Sequence, residues 1–395
     1  MSGDLSMLKK VNFLLLAIGA MIFLPYVGSW LHYNGKFPDH FFDYPPLSAE
    51  PKAPFNMFVF VMLSILALAV AVLYVFPRIF GFKKPIATPA PDIKKVSLPI
   101  WFWIGLIMWG GCLTMLFTRM TELKWLLHWS DLPIFWGFTL MLDGIVYKRK
   151  GGVSIIATIP QEMVGIALSS VAGWMIFEYL NFFVGENWYY PAGDIIPNTE
   201  FLLYAIIGSS GLIPMAFEWY SLLNTFEGMK HRFDQGLKFS LPLWFKNIVL
   251  VIAFSGMFVS GLFPNQMFFS LWVSPLLILA IILDRINVWT PFEPIKDGNW
   301  TPILVFALTY LLTGVSMEAW NFFSAAHAND VVTTYAPAYW VYSLPYVNTP
   351  RMFEMPILGY LGYLPFSVYC WIWWIMFAFL CNIPTRFADL TARGN

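Results

Sequence analysis

Long apolar runs constrain this sequence more than any other feature. A helix needs about 20 apolar residues to cross the hydrocarbon core of a bilayer, and by this criterion we expect about ten transmembrane helices. A chain that is 58% hydrophobic and only 12% charged exceeds what a soluble domain can bury. The sequence therefore predicts an all-α polytopic integral membrane protein, with spans near 11–31, 56–76, 98–118, 129–147, 160–183, 200–224, 242–262, 266–286, 300–323 and 352–381.

Lysine and arginine residues are unevenly distributed among the segments that connect these spans. With the N-terminus inside, most basic residues fall in inner segments, including the pairs at 83–84 and 94–95 and the triplet at 148–150. Positive residues favour the cytoplasmic side of a membrane. We therefore expect a prokaryotic cytoplasmic membrane protein whose N-terminus and C-terminus are both inside.

Composition also argues against several classes of function. The net charge is zero, so we expect no nucleic-acid partner. The three cysteines, Cys112, Cys370 and Cys381, lie in apolar runs without the spacing of a metal site or a disulfide framework. Paired intramembrane histidines and nucleotide-binding motifs are missing from the sequence. We therefore expect neither a bound metal nor a cofactor.

Two parts of the sequence resemble each other and predict an internal repeat. We expect a two-helix N-terminal unit with an inner linker at 1–97, a first four-helix repeat at 98–240 and a second at 241–395. An even number of helices in each repeat gives both copies the same orientation in the membrane. Four landmarks occur in the same order in both copies: Leu142-Asp143 and Leu283-Asp284; Glu178…Asn181-Phe182-Phe183 and Glu318…Asn321-Phe322-Phe323; Trp188-Tyr189-Tyr190 and Trp340-Val341-Tyr342; Gly208-x-x-Gly211-x-x-Pro214 and Gly359-x-x-Gly362-x-x-Pro365.

Glutamates inside the apolar runs are the candidate catalytic residues. A carboxylate at this depth costs several kcal/mol unless it is paired, hydrated or protonated. We expect Glu178, Glu318 and Glu354 to handle protons near the outer side of the membrane. The alternative for the duplicated glutamates is hydrogen bonding between helices that holds the repeats together.

Amides and indoles near these glutamates are the candidate substrate-binding residues. Asn181 and Asn321 each follow a glutamate by three residues and so share its helix face. We expect them to orient the glutamates or a substrate. Trp188 and Trp340 follow in the aromatic segments, where ring faces attract positive charge.

Two aspartates and one further glutamate lie toward the inner ends of the spans. We expect Asp143 and Asp284 to form ion pairs there with basic residues of the adjoining loops. Glu218 lies in the inner half of the sixth span, and Tyr369 takes its place in the second copy. Any function of Glu218 is therefore confined to the first copy.

The repeated unit resembles that of the bacterial and fungal membrane-embedded lycopene cyclases. The resemblance is carried by "FEYLNFFVGENWYYP" with "EFLLYAIIGSSGLIP", and by "MEAWNFF" with "FEMPILGYLGYLP". It covers about half of the chain, and the paired Pro-x-Glu-Glu motif of the family is absent: "RMFEMP" and "PNTEFLLY" contain one glutamate each. The resemblance implies a shared helical architecture and intramembrane carboxylates that protonate a carotenoid end group.

Three functions fit these features. The first is acid–base chemistry on, or binding of, a lipophilic molecule such as an isoprenoid or a lipid, at a site that opens toward the outer leaflet. The second is proton-coupled transport of a small solute. The third is a non-catalytic integral subunit of a larger membrane complex, in contact with lipids, pigments or other subunits.

Overall fold

The structure, a computed structural model, describes residues 6–84, 93–328 and 331–392 and is all-α. Most of the linker predicted at 83–95 lies outside these residues. The helices are α1 Met7–His32, α2 Met57–Val75, α3 Ile100–Thr118, α4 Lys124–His128, α5 Asp131–Arg149, α6 Ile155–Thr158, α7 Pro160–Phe182, α8 Asn198–Gly208, α9 Leu212–Leu223, α10 Glu227–Lys230, α11 Leu243–Leu262, α12 Pro264–Met267, α13 Ser270–Arg285, α14 Thr301–Phe323, α15 Tyr363–Cys381 and α16 Phe387–Ala392.

Extended structure is limited to short strands that pair in antiparallel couples, β1 with β4, β2 with β3 and β5 with β6. All of them follow the long helices α7 and α14 in the chain. The strands are β1 Trp188–Tyr189, β2 Ala325–Ala328, β3 Val331–Thr334, β4 Val341–Tyr342, β5 Arg351–Met352 and β6 Met355–Pro356.

Within the described residues, eight segments are long and apolar enough to cross a membrane: α1, α2, α3, α7, α8 with α9, α11, α14, and 357–381. Each of the ten predicted spans falls on a helix, but two of these helices do not meet the criterion. One is α5, which carries Asp131 and Asp143 and ends on Lys148 and Arg149. The other is α13, which has only 16 residues. The predicted fold class is confirmed, whereas the number of spans beyond eight stays a prediction.

Helices differ greatly in how much of their surface they bury. The buried share of the most apolar 18 residues is 56% in α7 and in α14 and 61% in 198–223 and in 357–381. In α2 this share is zero. Contacts among α7, α9, α14 and α15 form the centre, and α11 and α13 link α15 to α1. The centre of the bundle is therefore built from the helices that carry Glu178, Glu218 and Glu318.

The motif Gly-x-x-Gly-x-x-Pro coincides with a short 3-10 segment in both places where it occurs. Short 3-10 segments at Ser209–Gly211 and Ile357–Gly362 separate the preceding chain from α9 and α15. Pro214 and Pro365 lie in the first turn of the helix that follows, where the absence of a backbone N–H costs no intrahelical hydrogen bond. Buried serine hydroxyls bind the interrupted backbone: Ser170 accepts from the Ile213 N–H at 3.0 Å.

Glycine allows α1 and α11 to cross in direct backbone contact. A Cβ added at Gly28 would lie 2.0 Å from the Phe258 carbonyl oxygen, and one at Gly261 would lie 2.2 Å from the Pro25 carbonyl oxygen. Small residues of this kind let membrane helices approach closely. The crossing fixes the N-terminal helix against the rest of the bundle.

We expect Gly28→Ala to lower stability by about 1–3 kcal/mol, because the added methyl group forces two backbones apart. Gly19→Ala, on the same helix, is the matched control, since a Cβ added at Gly19 would meet no neighbouring group of the described chain within 4 Å. Thermal melting of the purified variants in detergent measures the difference. Equal melting temperatures for the two variants would contradict the packing described for this crossing.

Candidate functional site

A two-stranded ribbon joins the chain segments that follow α7 and α14. β1 pairs with β4 so that Trp188 lies opposite Tyr342 and Tyr189 lies opposite Val341. α7 and α14 both end close to this ribbon, so their last turns lie at the same end of the bundle. The end of the bundle that carries the ribbon is called the ribbon end below.

Glu178, in the last turns of α7, accepts three hydrogen bonds on one oxygen. Its Oε1 accepts from the Tyr190 hydroxyl at 2.6 Å, the Trp174 indole at 3.1 Å and the Trp188 indole at 3.2 Å. Its side chain is buried, with 4% of the residue exposed. Glu178 with these three donors is called the first glutamate site.

Glu318, in the last turns of α14, has the same arrangement. Its Oε1 accepts from the Tyr363 hydroxyl at 2.8 Å, the Tyr342 hydroxyl at 2.9 Å and the Trp340 indole at 3.3 Å. The residue is fully buried. Glu318 with these donors is called the second glutamate site.

Asn181 and Asn321 fix the strands that carry the indole and hydroxyl donors. Asn181 donates to the Trp188 carbonyl at 2.8 Å and accepts from the Asn187 N–H at 2.8 Å. Asn321 donates to the Trp340 carbonyl at 2.8 Å and accepts from the Trp340 N–H at 3.0 Å. The asparagines therefore position the donors of the glutamate sites by binding the backbone that carries these donors, rather than by binding a substrate directly.

In both sites the second carboxyl oxygen, Oε2, is buried and lacks a hydrogen-bond partner among the residues that the structure describes. Buried polar atoms are paired in the great majority of cases, so an unpaired one calls for an explanation. A proton on Oε2, a water molecule or a ligand would each satisfy the atom. Each of the two glutamates thus has one oxygen held in place by donors and one oxygen without a donor in the described part of the chain.

Aromatic rings fill the space between the two sites. Tyr363 lies 6.0 Å from Tyr310, and Tyr310 lies 4.6 Å from Phe366 in an edge-to-face contact, both measured between ring centroids. Phe366 contacts Phe177, the neighbour of Glu178, at 5.0 Å. The hydroxyl groups of Tyr310 and Tyr369 in this region are buried without partners. The region between the two glutamate sites is therefore apolar, with two hydroxyl groups that lack partners among the described residues.

Glu354, the third predicted proton-handling residue, lies apart from these helices in the turn between β5 and β6. Its Oε1 accepts from the Tyr339 hydroxyl and lies 3.0 Å from His327 Nε2, and its Oε2 lies 3.6 Å from Arg351 Nη1. It is close enough to Glu318 to interact with it electrostatically. Its surroundings supply positive charge, which the two glutamate sites lack.

The tyrosine donors are the residues of the sites that the sequence did not reveal. Tyr190 and Tyr342 occupy the same place in the two aromatic segments, so the duplicated Trp-x-Tyr pattern was a usable signal. Trp174, one helical turn before Glu178, could also have been found by spacing. Tyr363 lies 45 residues beyond Glu318, and nothing local to either residue links them.

A covering segment, residues 33–56, lies across the ribbon end. The Tyr190 N–H donates to the Pro46 carbonyl at 2.8 Å, and the Asn56 N–H donates to the Tyr346 carbonyl at 2.9 Å. Tyr44 is near enough to Glu178 to interact with it electrostatically. The covering segment therefore contacts the connections that follow both α7 and α14.

Buried charges attach the covering segment to the turn after α7. Lys52 Nζ donates to the Val184 carbonyl at 2.6 Å, and Tyr33 donates to Glu50 at 2.6 Å. Burial, with a smaller contribution from Glu50, raises the pKa of Glu186 to about 7. Burial lowers the pKa of Lys52 to about 8, against the attraction of Glu186 and Glu50. Gly185 in this turn has a φ of +63° and no room for a side chain against Glu50 and Lys52.

The two inner aspartates differ in their partners. Asp284 forms ion pairs with Lys246 and, at 3.7 Å, with Lys296, as predicted. The same prediction for Asp143 is wrong. Its oxygens accept from the Trp101 indole at 2.8 Å, the Ser154 hydroxyl at 2.8 Å and the Ile156 N–H at 3.0 Å, because α3 places a tryptophan where α11 places a lysine.

Two surface cavities lie away from the glutamate sites. One of about 430 Å³ is apolar and lies between α1, α11 and α13. The other, of about 450 Å³, is lined by the covering segment and Glu186. Within the part of the chain that the structure describes, no group of three or more histidine, cysteine or acidic residues could hold a metal ion.

The fold and its apolar helices define an integral membrane protein. Comparisons with protein-family models, with curated proteins and with solved structures find no match. The arrangement of the site itself therefore carries the functional argument.

Proposed function

We propose that this protein carries out acid–base chemistry on a lipophilic molecule, isoprenoid-like or lipid-like, with Glu178 and Glu318 as duplicated proton-holding groups. The observation that carries the proposal is the unpartnered Oε2 of each glutamate. Three donors on Oε1 fix the carboxyl group in place, and burial favours a protonated acid that can protonate a substrate. In this proposal the ribbon end faces the outer side of a prokaryotic cytoplasmic membrane.

The aromatic surroundings suit an apolar substrate on which positive charge develops. Rings of Phe177, Tyr310 and Phe366 lie between the two glutamate sites. The faces of such rings attract a cation, so they would stabilise a carbocation formed when a polyene takes up a proton. The matching hydrogen-bond patterns of the two sites support two repeats that each contribute one acid.

The test compares wild type with Glu178→Gln, Glu318→Gln and the double variant. Glutamine keeps the accepting oxygen but cannot deliver a carboxyl proton. We expect mass spectrometry of organic extracts to find a lipophilic molecule retained by the wild type, and the double variant to lose it or to hold an unconverted form. Glu122→Gln, at an exposed position, is the matched control.

Infrared spectroscopy gives a second measurement on the same samples. A protonated carboxyl group has a carbonyl-stretch band that a carboxylate lacks. We expect this band in the wild type at neutral pH and its loss, in proportion, in the single and double variants. An unchanged band in the double variant would contradict the proposal. Unchanged function with stable co-migration of other proteins would instead favour a structural subunit.

Proton-coupled solute transport is the second candidate. It is favoured by buried carboxyl groups at both ends of the bundle, Glu178 and Glu318 at the ribbon end and Asp143 and Glu218 toward the other. Carboxyl groups inside membrane domains often form proton relays. Solute uptake into proteoliposomes that collapses with a protonophore would favour this function over chemistry on a lipid.

A further inference from the structure

Two fully buried carboxyl groups lie together at the end of the bundle opposite the ribbon. Asp143 on α5 and Glu218 on α9 have no exposed surface. Asp143 binds Ser154 and the Ile156 N–H, which come just before α7 begins, whereas α7 ends at the ribbon. The pair is therefore separated from the two glutamate sites by much of the length of α7.

The surroundings of the two groups are unequal. Asp143 accepts three hydrogen bonds, from Trp101, Ser154 and the Ile156 N–H. α5 packs on α9, and Glu218 is close enough to Asp143 to interact with it, yet among the described residues neither oxygen of Glu218 accepts a hydrogen bond. Donors on both oxygens, as on Asp143, favour the charged form of a carboxyl group, whereas a buried oxygen without a donor, as on Glu218, favours the protonated form. These surroundings favour charge on Asp143 and a proton on Glu218.

Cations do not balance the pair. Among the described residues, no ion pair includes Asp143 or Glu218. Arg149, at the end of α5, donates instead to Thr225. The helices α7 and α14 also pack against α9, but Asp143 is the titratable group that interacts with Glu218. If Asp143 and Glu218 were both charged, two negative charges without a balancing cation would lie close together, which is strongly unfavourable in a dry interior.

The corresponding place in the second half of the chain has a different arrangement. Asp284 is paired with Lys246 and Lys296, and the residue aligned with Glu218 is Tyr369. A lysine thus supplies in one half the positive charge that is missing in the other. The comparison points to a proton as the missing charge.

We propose that Asp143 and Glu218 form a proton-binding site. Glu218 carries the proton, and its carboxyl O–H donates a hydrogen bond to the Asp143 carboxylate. The proton comes from water and returns to water on titration, so no bond other than O–H forms or breaks. This site uses none of the residues of the two glutamate sites, and its variants test it separately.

Carbodiimide labelling of the intact wild-type protein tests the proposal without any substitution. Dicyclohexylcarbodiimide is apolar and reacts with protonated carboxyl groups within membranes. At neutral pH we expect about tenfold more label on Glu218 than on Asp284, because a carboxylate in an ion pair is deprotonated. Peptide mass spectrometry locates the label. Equal or lower labelling of Glu218 would overturn the proposal.

Infrared difference spectra between wild type and Glu218→Gln provide the second measurement. We expect the variant to lose one protonated-carboxyl band while the bands of Glu178 and Glu318 remain. Asp284→Asn is the matched control and should leave this band intact. A folded Glu218→Gln protein with an unchanged band would overturn the proposal. Loss of the wild-type band on adding sodium at constant pH would also overturn it, by showing a metal cation in place of the proton.

Discussion

Replacing Asn181 and Asn321 together by alanine is expected to lower stability more than the other substitutions at the ribbon end. Each asparagine satisfies one carbonyl and one N–H of the backbone at or next to the β1–β4 ribbon. Buried polar groups that lose their partners cost about 1–3 kcal/mol each. Each asparagine binds two such groups, so we expect each substitution to cost about 2–6 kcal/mol.

The loss has a specific structural consequence, because the asparagines hold the strands that carry the donors to Glu178 and Glu318. Hydrogen exchange of residues 186–190 and 340–342 should increase in the double variant, while α11 and α13 keep their protection. Asn198→Ala, at an exposed position in the first turn of α8, is the control. Melting temperatures of the double variant and the control that agree would contradict the role given to the asparagines.

The second large effect is a dependence of stability on pH that originates outside the membrane, at Glu186 and Lys52. The pKa of Glu186 is about 7 in the folded protein and 4.5 for a free carboxyl group. A raised pKa means that the folded state favours the proton, so its contribution is full below pH 4.5 and is lost as pH rises through 7. The difference corresponds to at most about 3 kcal/mol.

Lys52 acts in the opposite direction. Its pKa is about 8 in the folded protein and 10.5 when free. A lowered pKa means that the folded state disfavours the proton, so its contribution is full above pH 10.5 and is lost as pH falls through 8. Together the two groups predict a minimum of stability between about pH 7 and 8.

Melting curves of wild type and Glu186→Gln between pH 4.5 and 7 measure the acid side of this profile. We expect the variant to gain stability relative to wild type as pH rises across this interval, since glutamine does not titrate. Glu122→Gln serves as the exposed control and should follow the wild-type curve. A difference between Glu186→Gln and wild type that does not vary with pH would contradict the assignment.

Much of the fold could be predicted because a membrane helix can be recognised from its own stretch of apolar sequence. Each predicted span falls on a helix, since 20 apolar residues in a row have few other stable arrangements in a bilayer. The 3-10 segments at Ser209–Gly211 and Ile357–Gly362 were harder to foresee. The motif was visible, but a kink at the proline and a new helix begun near the proline use the same residues.

The site was predictable only in part. Glu178 and Glu318 stood out because a carboxyl group in an apolar run is costly and these two are duplicated. Their geometry depends on donors from distant parts of the chain, such as Tyr363, and on a ribbon that pairs strands about 150 residues apart in sequence. The prediction for Asp143 failed for the same reason, because its partner Trp101 comes from another helix.

The covering segment, residues 33–56, has a consequence for access. Its backbone is bonded to the turns after both α7 and α14, so it closes the approach to Glu178 from the water above the bundle. A compound dissolved in the aqueous phase would have to lift this segment first. A compound dissolved among the acyl chains would avoid the covering segment only by entering sideways between helices, and its concentration in the bilayer would then determine how much of it reaches the two acids.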